Sequence, residues 1–340
     1  MDIWNFLQQT KYPIVLYGMG NGAERVISQL AKIGKRAEGV FASDEFVRGQ
    51  QFCGFTVRKY SDMVKQFPNM IILVCFGSNR KSVLEYIKIL SLNHIVLCPD
   101  VPVFGDNIFD IHFARIHKSE IEQVYQLLAD QESKDTYQKI IEFKLSGQTD
   151  KLSKCQYTGG LFDLLPLDSN ETYVDIGAYR GDTVEEFLKS VNHYQKIYAF
   201  EPNYKTYQKL TENISNLSDA QAICAAVSDY EGETQFLSAG RGSSVLKTGQ
   251  TVSVCSLDKY FELTPISLIK MDVEGEESAA LMGAKRIIAE QKPKMIIAAY
   301  HRSEDIFSLP LQVCKIRPDY KVYIRHFPHN LAWDTNFYFI

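Results

Sequence analysis

Along the first hundred residues, short apolar runs are separated by longer stretches in which apolar and polar positions recur with helical spacing. The runs "PIVLYG" (13–18), "RAEGVFA" (36–42), "NMIILVCF" (69–76) and "HIVLC" (94–98) read as strands, and the stretches near 22–34, 60–66 and 79–91 read as helices between them. Strand and helix in strict alternation predict a parallel sheet. Residues 105–155 then turn helical and charged, with Ile121, Val124, Tyr125 and Leu128 at i, i+3, i+4 and i+7 on one face. From Glu171 the alternation resumes. "TYVDIG", a helix at 182–191, "KIYAFEP", a helix at 204–216 and "AQAICAAVSD" precede a hairpin-like stretch running from "ETQF" to "VCSL". "SLIKMDVEG", a helix at 276–290, "KMIIAAYH", a helix at 304–315, "KVYIRH" and "TNFYFI" complete the chain. The last two strands have no helix between them, which predicts an antiparallel edge.

Length and composition sharpen this reading only in part. A chain of 340 residues suits two domains of about 100–200 residues each. The pattern divides it into a Rossmann-like domain at 1–104, a helical connector at 105–165 and a second doubly wound α/β domain at 166–340. A net charge of -4 argues against a broad nucleic-acid footprint, and the longest apolar runs fall far short of the roughly 20 residues that span a bilayer. No signal-peptide pattern opens the chain, so a cytoplasmic location is expected. The seven cysteines are scattered with no CxxC pair, which suits reduced thiols.

The stretch "VDIGAYRGDTVEEF" (174–187) carries the most chemistry. It follows a strand and opens a helix, the place where open α/β sheets bind ligands. A dinucleotide turn would read G-x-G-x-x-G, but here Tyr179 stands between Gly177 and Gly181, and Asp175 and Asp182 flank the turn. Those acids would oppose a pyrophosphate and favour a ligand with ammonium and sulfonium groups. At the end of the next strand, in "YAFEPN", Glu201 occupies the position from which a carboxylate takes both ribose hydroxyls of an adenosine. S-adenosylmethionine combines these features. Read without a ligand, Asp182 is a helix N-terminal acid and Glu201 a solvated loop acid.

In "SLIKMDVEGEES", alternation places Leu268, Lys270 and Asp272 on one face, so a lysine enters an apolar strand and must be paired or solvated. Asp272 and Glu274 converge at the strand's carboxyl end. Glu276 and Glu277 read as first-turn helix acids.

The ordered motifs "VDIGAYRGDT", "AFEPN", "AAVSDYEG", "SLDKYF", "IKMDVEGEE" and "YH" followed by "RH" closely resemble the FkbM family of S-adenosylmethionine-dependent O-methyltransferases, over about residues 170–340. The connector "LLADQESKDTYQKIIEFKLSGQ" resembles the segment before the catalytic domain in a two-domain branch of that family. The resemblance implies a class I methyltransferase fold and methylation of a hydroxyl, commonly on a sugar or glycan. It further implies that Asp175, Gly177, Gly181, Asp182 and Glu201 hold the donor, with Tyr179, Thr183 and Pro202 in the same motifs. Ser228 and Asp229 would lie near the adenine, and Asp272 to Gly275 would line the junction of donor and acceptor. The tail "RHFPHNLAWDTNFYFI", with His329 and Trp333, departs from the family pattern.

Methyl transfer is an in-line displacement that needs alignment and removal of the hydroxyl proton. His301, at the end of "KMIIAAYH", is a candidate base because an ordinary imidazole titrates near pH 6.5; Lys270, Asp272 and Glu274 compete for the role. A divalent metal on Asp272, Glu274 and His301 is a further route, but nothing in the spacing demands one, and none is expected. Arg325 and His326 read either as acceptor contacts or as edge-strand residues.

In the first domain, Gly18, Gly20 and Ala23 satisfy G-x-G-x-x-G/A between a strand and a helix, with Asp44 following. This allows a nucleotide or nucleotide-sugar, or glycines that merely permit close packing. Two rival functions remain open at this level: a nicotinamide-dependent oxidoreductase acting through the first domain, and a catalytically silent binding protein of a glycan-assembly complex. Oligomeric state is not legible.

Overall fold

A computed structural model describes residues 2–236 and 250–340. The chain separates into two compact units, one of Met1–Ser119, Lys134–Tyr157 and His326–Asp334, the other of Glu120–Ser133, Thr158–Arg325 and Thr335–Ile340. The expected connector at 105–165 is therefore shared between the two rather than standing alone, and a short piece of the chain's end clusters with the first unit.

In the first unit, strands β1 (Ile14–Tyr17), β2 (Gly39–Phe41), β5 (Ile71–Val74) and β6 (Ile95–Leu97) form a parallel sheet in the order β2-β1-β5-β6, while β3 (Gln51–Phe52) and β4 (Phe55–Thr56) make a small hairpin. All four residues of β1 and of β5 are buried, as strands covered on both faces require. The helix Asn21–Lys32 lays Ala23, Val26 and Leu30 on this sheet with helical spacing. The Phe76 ring crowds the glycine turn at Gly18, and the following Asp44 lies in an exposed ion pair. A Cβ at Gly18 would lie 2.4 Å from the Phe76 ring, and Asp44 is engaged by Lys59 at 3.3 Å. The segment 326–334 clamps the loop after β5: the Asn330 amide accepts from Ser78 N at 2.6 Å and donates to Phe76 O at 2.8 Å. Within that segment His329 stacks on Trp333, ring centres 5.5 Å apart. These unusual tail residues thus have structural partners in the first unit. In the 134–157 piece, Lys144 is buried against Asp100 at 2.7 Å.

The second unit is built on a seven-stranded sheet of β7 (Thr172–Ile176), β8 (Lys196–Phe200), β9 (Ala220–Ile223), β13 (Leu268–Met271), β14 (Lys294–Ala298), β15 (Val322–His326) and β16 (Thr335–Phe339), in the order β15-β16-β14-β13-β7-β8-β9. β7, β8, β9, β13 and β14 run parallel, and β16 pairs antiparallel with β14. The antiparallel strand, expected at the edge, lies one place in, because β15 adds outside it. Reciprocal backbone bonds between Lys321 and Ile340 tie those two strands at their ends. The stretch 220–229, expected as one strand, breaks at Cys224. Its second half, β10 (Ala225–Val227), joins β11 (Gly232–Phe236) and β12 (Gln250–Cys255) in a separate sheet. β11 and β12 are antiparallel, as the hairpin-like pattern suggested; the intervening 237–249 lie outside the described residues.

One face of the large sheet is closed by aromatic packing, with Tyr173 and Phe187 rings 4.7 Å apart and Phe162 at 5.7 Å from Tyr173. Arg325 on β15 is buried and paired with Asp130 at 2.7 Å and Glu132 at 3.0 Å, so it fixes the strand to its own unit. Among the described residues no helix is long and apolar enough to cross a membrane.

Two buried imidazoles, His326 at the end of β15 and His329 beyond it, carry a pH signature. Burial, reinforced by the neighbouring His329, pushes His326 down to about 3, and burial pushes His329 down to about 4. Both stay neutral when folded, whereas the unfolded chain takes up protons near pH 6.5. Their contribution is therefore complete above about pH 6.5 and is lost as pH falls toward 4 and 3. We expect His329→Asn to raise the thermal midpoint at pH 5 relative to that at pH 7, compared with the same pair for the unaltered chain; an unchanged difference contradicts the assignment.

Candidate functional site

Four parallel strands of the second unit, β8, β7, β13 and β14, lie side by side, and most candidate residues sit near their carboxyl ends, Asp175 and Lys270 on the strands themselves and others on the loops that follow. After β7 the chain turns through Gly177 (φ +79°), where a Cβ would lie 1.9 Å from the carbonyl oxygen of Asp272. Only glycine lets the two loops approach this closely. Tyr179, in the place of a middle glycine, takes a left-handed backbone (φ +50°) and leaves its ring exposed with the Arg180 guanidinium 5.1 Å from its centre. Gly181 (φ +88°) then opens the helix Asp182–Ser190, with Asp182 exposed in its first turn.

Asp175 is wholly buried and accepts from the Thr183 hydroxyl, while its other oxygen stands 3.5 Å from the Lys270 ammonium. Burial raises its pKa and Lys270 opposes the rise. Lys270 is 6% exposed and also reaches the Gly177 carbonyl at 3.4 Å and Asp272 at 4.0 Å. Burial works against its charge, but Asp175 and Asp272 outweigh it and hold the ammonium above its ordinary value. The expected lysine–aspartate pairing is present, and Asp175 supports the turn from beneath.

Glu201 follows β8. One carboxylate oxygen accepts from Asn203 N at 2.7 Å and the other from Tyr179 N at 3.1 Å, so the acid is fixed against the Gly177 turn. Burial raises its pKa, opposed by those two amides. Pro202 follows it, and Asn203 caps the helix Tyr204–Ile214. Ser228 and Asp229 follow β10 and bond to one another at 3.3 Å; Asp229 is exposed.

The loops after β13 and β14 bring the remaining candidates together. Asp272 is the hub. The Tyr300 hydroxyl donates to it at 3.2 Å, and His301 Nε2 lies 3.4 Å from it. Glu274, in a left-handed backbone (φ +57°), places a carboxylate oxygen 3.5 Å from the same Nε2. On the other side of the ring, Glu277 Oε1 lies 2.9 Å from Nδ1. His301 is buried, which alone would lower its pKa, but Glu277, Asp272 and Glu274 overcome this and raise it to about 9. That corrects the expectation of an ordinary imidazole titrating near 6.5: at neutral pH the ring carries its proton and is not free to take another.

Glu277 is the residue that sequence reasoning missed. Expected as a solvated first-turn acid, it is only 1% exposed and accepts from Val273 N at 2.9 Å and Gly275 N at 3.3 Å as well as facing His301. Its neighbour Glu276 is the ordinary exposed acid, 3.2 Å from Arg302. Tyr300 and Asp305 were also missed. Asp305 is buried, and burial together with Glu277 pushes it up to about 7. Tyr300 could have been noticed from its place in "AAYH"; nothing in "EGEES" separates Glu277 from Glu276.

The strand order with one inserted antiparallel strand, the glycine turn after β7 and the acid after β8 together define a methyltransferase-type α/β domain. Residues 175–322 match the family model of the Methyltransferase FkbM domain. A crystal structure of Methyltransferase FkbM from Methylobacillus flagellatus KT superposes with a TM-score of 0.75 at 19% identity, covering 96% of this chain and 90% of that one. Two smaller methyltransferase structures overlap about half of the chain. One, a putative methyltransferase of Streptococcus mutans in complex with SAH, has a TM-score of 0.34 at 14% identity over 51% of this chain and 91% of that one. The other, Aeropyrum pernix fibrillarin with bound S-adenosyl-L-methionine, has a TM-score of 0.35 at 13% identity over 52% of this chain and 69% of that one. No curated protein matches the chain.

The contrast between the two adjacent acids is testable. Glu277→Ala removes the acceptor of two backbone amides, and each buried donor left unmade costs about 1–3 kcal/mol. We expect a loss of about 2–4 kcal/mol in chemical denaturation. Glu276→Ala should change stability by less than about 0.5 kcal/mol. Equal effects contradict the assignment.

Proposed function

We propose that the chain is an S-adenosylmethionine-dependent O-methyltransferase acting on a hydroxyl of a sugar or glycan precursor. The observation that carries this reading is Glu201, a nearly buried carboxylate locked by two backbone amides beside a glycine turn at the ends of adjacent parallel strands. An acid so placed has its outward lone pairs free for two vicinal hydroxyls, the demand of a ribose. Gly177, Tyr179, Gly181 and Asp182 would border the amino-acid end of the donor, Thr183 and Asp175 would support that turn, and Ser228 and Asp229 would lie toward the adenine.

The donor brings the reactive methyl group, already activated by its sulfonium. The protein has to hold the acceptor oxygen in line and accommodate its proton. Asp272, partly exposed and facing Tyr300, Lys270 and His301, is the group best placed to receive a hydroxyl proton. Lys270 and the protonated His301 steady its charge. Glu274 borders the same space. A hydroxyl acceptor suits a site whose exposed groups are carboxylates and a phenol. Nothing around the first unit's Gly18 turn adds a nucleotide to this reading, since Phe76 lies against Gly18 and Asp44 is paired with Lys59.

Calorimetric titration with S-adenosylmethionine tests the reading. Binding should weaken about tenfold to a hundredfold in Glu201→Ala, the worth of a charge-assisted hydrogen bond or two. Failure of the folded wild type to bind the donor removes the proposal.

A further inference from the structure

His301 has a carboxylate at each ring nitrogen and two at one of them. Nδ1 is held by Glu277 at 2.9 Å, the distance of a charge-assisted hydrogen bond. Nε2 stands 3.4 Å from Asp272 Oδ1 and 3.5 Å from Glu274 Oε2. One N–H could serve both oxygens only as a bifurcated bond, and both distances are long for a charge-assisted one. They are close to the ~3.0–3.4 Å that separates neighbouring donors around one ion when each lies about 2.1 Å from it. Asp272, Glu277 and His301 offer donor atoms that all lie within 4.8 Å of one another, and Glu274 joins this group through His301 Nε2 alone.

Three further observations point the same way. Glu277 Oε2 is buried and, among the described residues, has no hydrogen-bond partner, so the cluster contains an acid whose charge is incompletely met. Asp175 and Asp272 face the Lys270 ammonium while Asp272, Glu274 and Glu277 face the protonated His301, so four carboxylates meet two cationic groups, and a metal ion at Nε2 would take the place of that nitrogen's proton. Finally, an imidazole whose far nitrogen is oriented by a carboxylate is the arrangement that fixes the tautomer of metal-bound histidines.

We propose that His301 Nε2, Asp272 and Glu274 bind a divalent cation, with Glu277 holding the imidazole through Nδ1. One imidazole and two carboxylates suit Mn2+ and similar borderline to hard ions, with the remaining positions open to water or an oxygen ligand. The binding itself stands apart from the reaction. That such an ion would receive the acceptor hydroxyl and ease its deprotonation rests on the methyl-transfer reading.

The probe is Mn2+ added to the full chain after treatment with a chelator, followed by electron paramagnetic resonance. One ion per chain should bind at micromolar concentration, and its spin-echo modulation should show coupling to a single imidazole nitrogen. Glu274→Gln, at an exposed position, should weaken binding at least tenfold, while Glu276→Gln leaves it unchanged. Absence of stoichiometric Mn2+, absence of nitrogen coupling, or equal binding by the two variants overturns the site. A parallel donor titration separates the two proposals. Mn2+ binding without donor binding upholds this site and overturns the methyl-transfer reading; donor binding in chelator with no Mn2+ uptake does the reverse.

Discussion

A lysine ammonium buried in the middle strand of a seven-stranded sheet is the constraint on which the rest of the site depends. An uncompensated charge there would cost several kcal/mol, so the fold must supply carboxylates at fixed places. Asp175, on the neighbouring strand in register with Lys270, is one; Asp272, two residues further along β13, is the other. The same ammonium approaches the carbonyl of Gly177, and Gly177 in turn lies against the carbonyl of Asp272. Lys270 therefore ties the turn that borders the proposed donor to the loop that carries the charged cluster.

From that anchor the site grows outward by charge. Asp272 meets Tyr300 and His301, and Glu277 reaches back to secure both the imidazole and the loop amides of Val273 and Gly275. Carboxylates therefore gather beside the turn, where a pyrophosphate-binding turn would carry none. Glu201 stands on the far side of Gly177, tied by backbone amides and not by the ammonium. The two proposed roles thus share the carboxyl ends of neighbouring strands in the middle of one sheet.

What could be read from the chain follows from how local each feature is. The turn "VDIGAYRG" and the acid of "AFEPN" are legible because each motif is a few consecutive residues between a strand and a helix. Lys270 stood out because its strand is otherwise apolar. Glu277 was hidden since its burial depends on a loop and a strand end that come together only in the fold. The proton affinity of His301 was hidden for the same reason: it is set by three carboxylates that adjoin it in space. At the level of the fold, the helical stretch 105–165 divides between the two units, a division that depends on contacts distant in sequence. The position of β16 inside β15 could not be inferred from two adjacent strands alone.

The most direct test of the account is a crystal structure of the chain with S-adenosylhomocysteine. The account expects both ribose hydroxyls within hydrogen-bond distance of the Glu201 carboxylate and the sulfur directed toward Asp272 and His301. A nucleoside bound elsewhere, or a ribose turned away from Glu201, would contradict it.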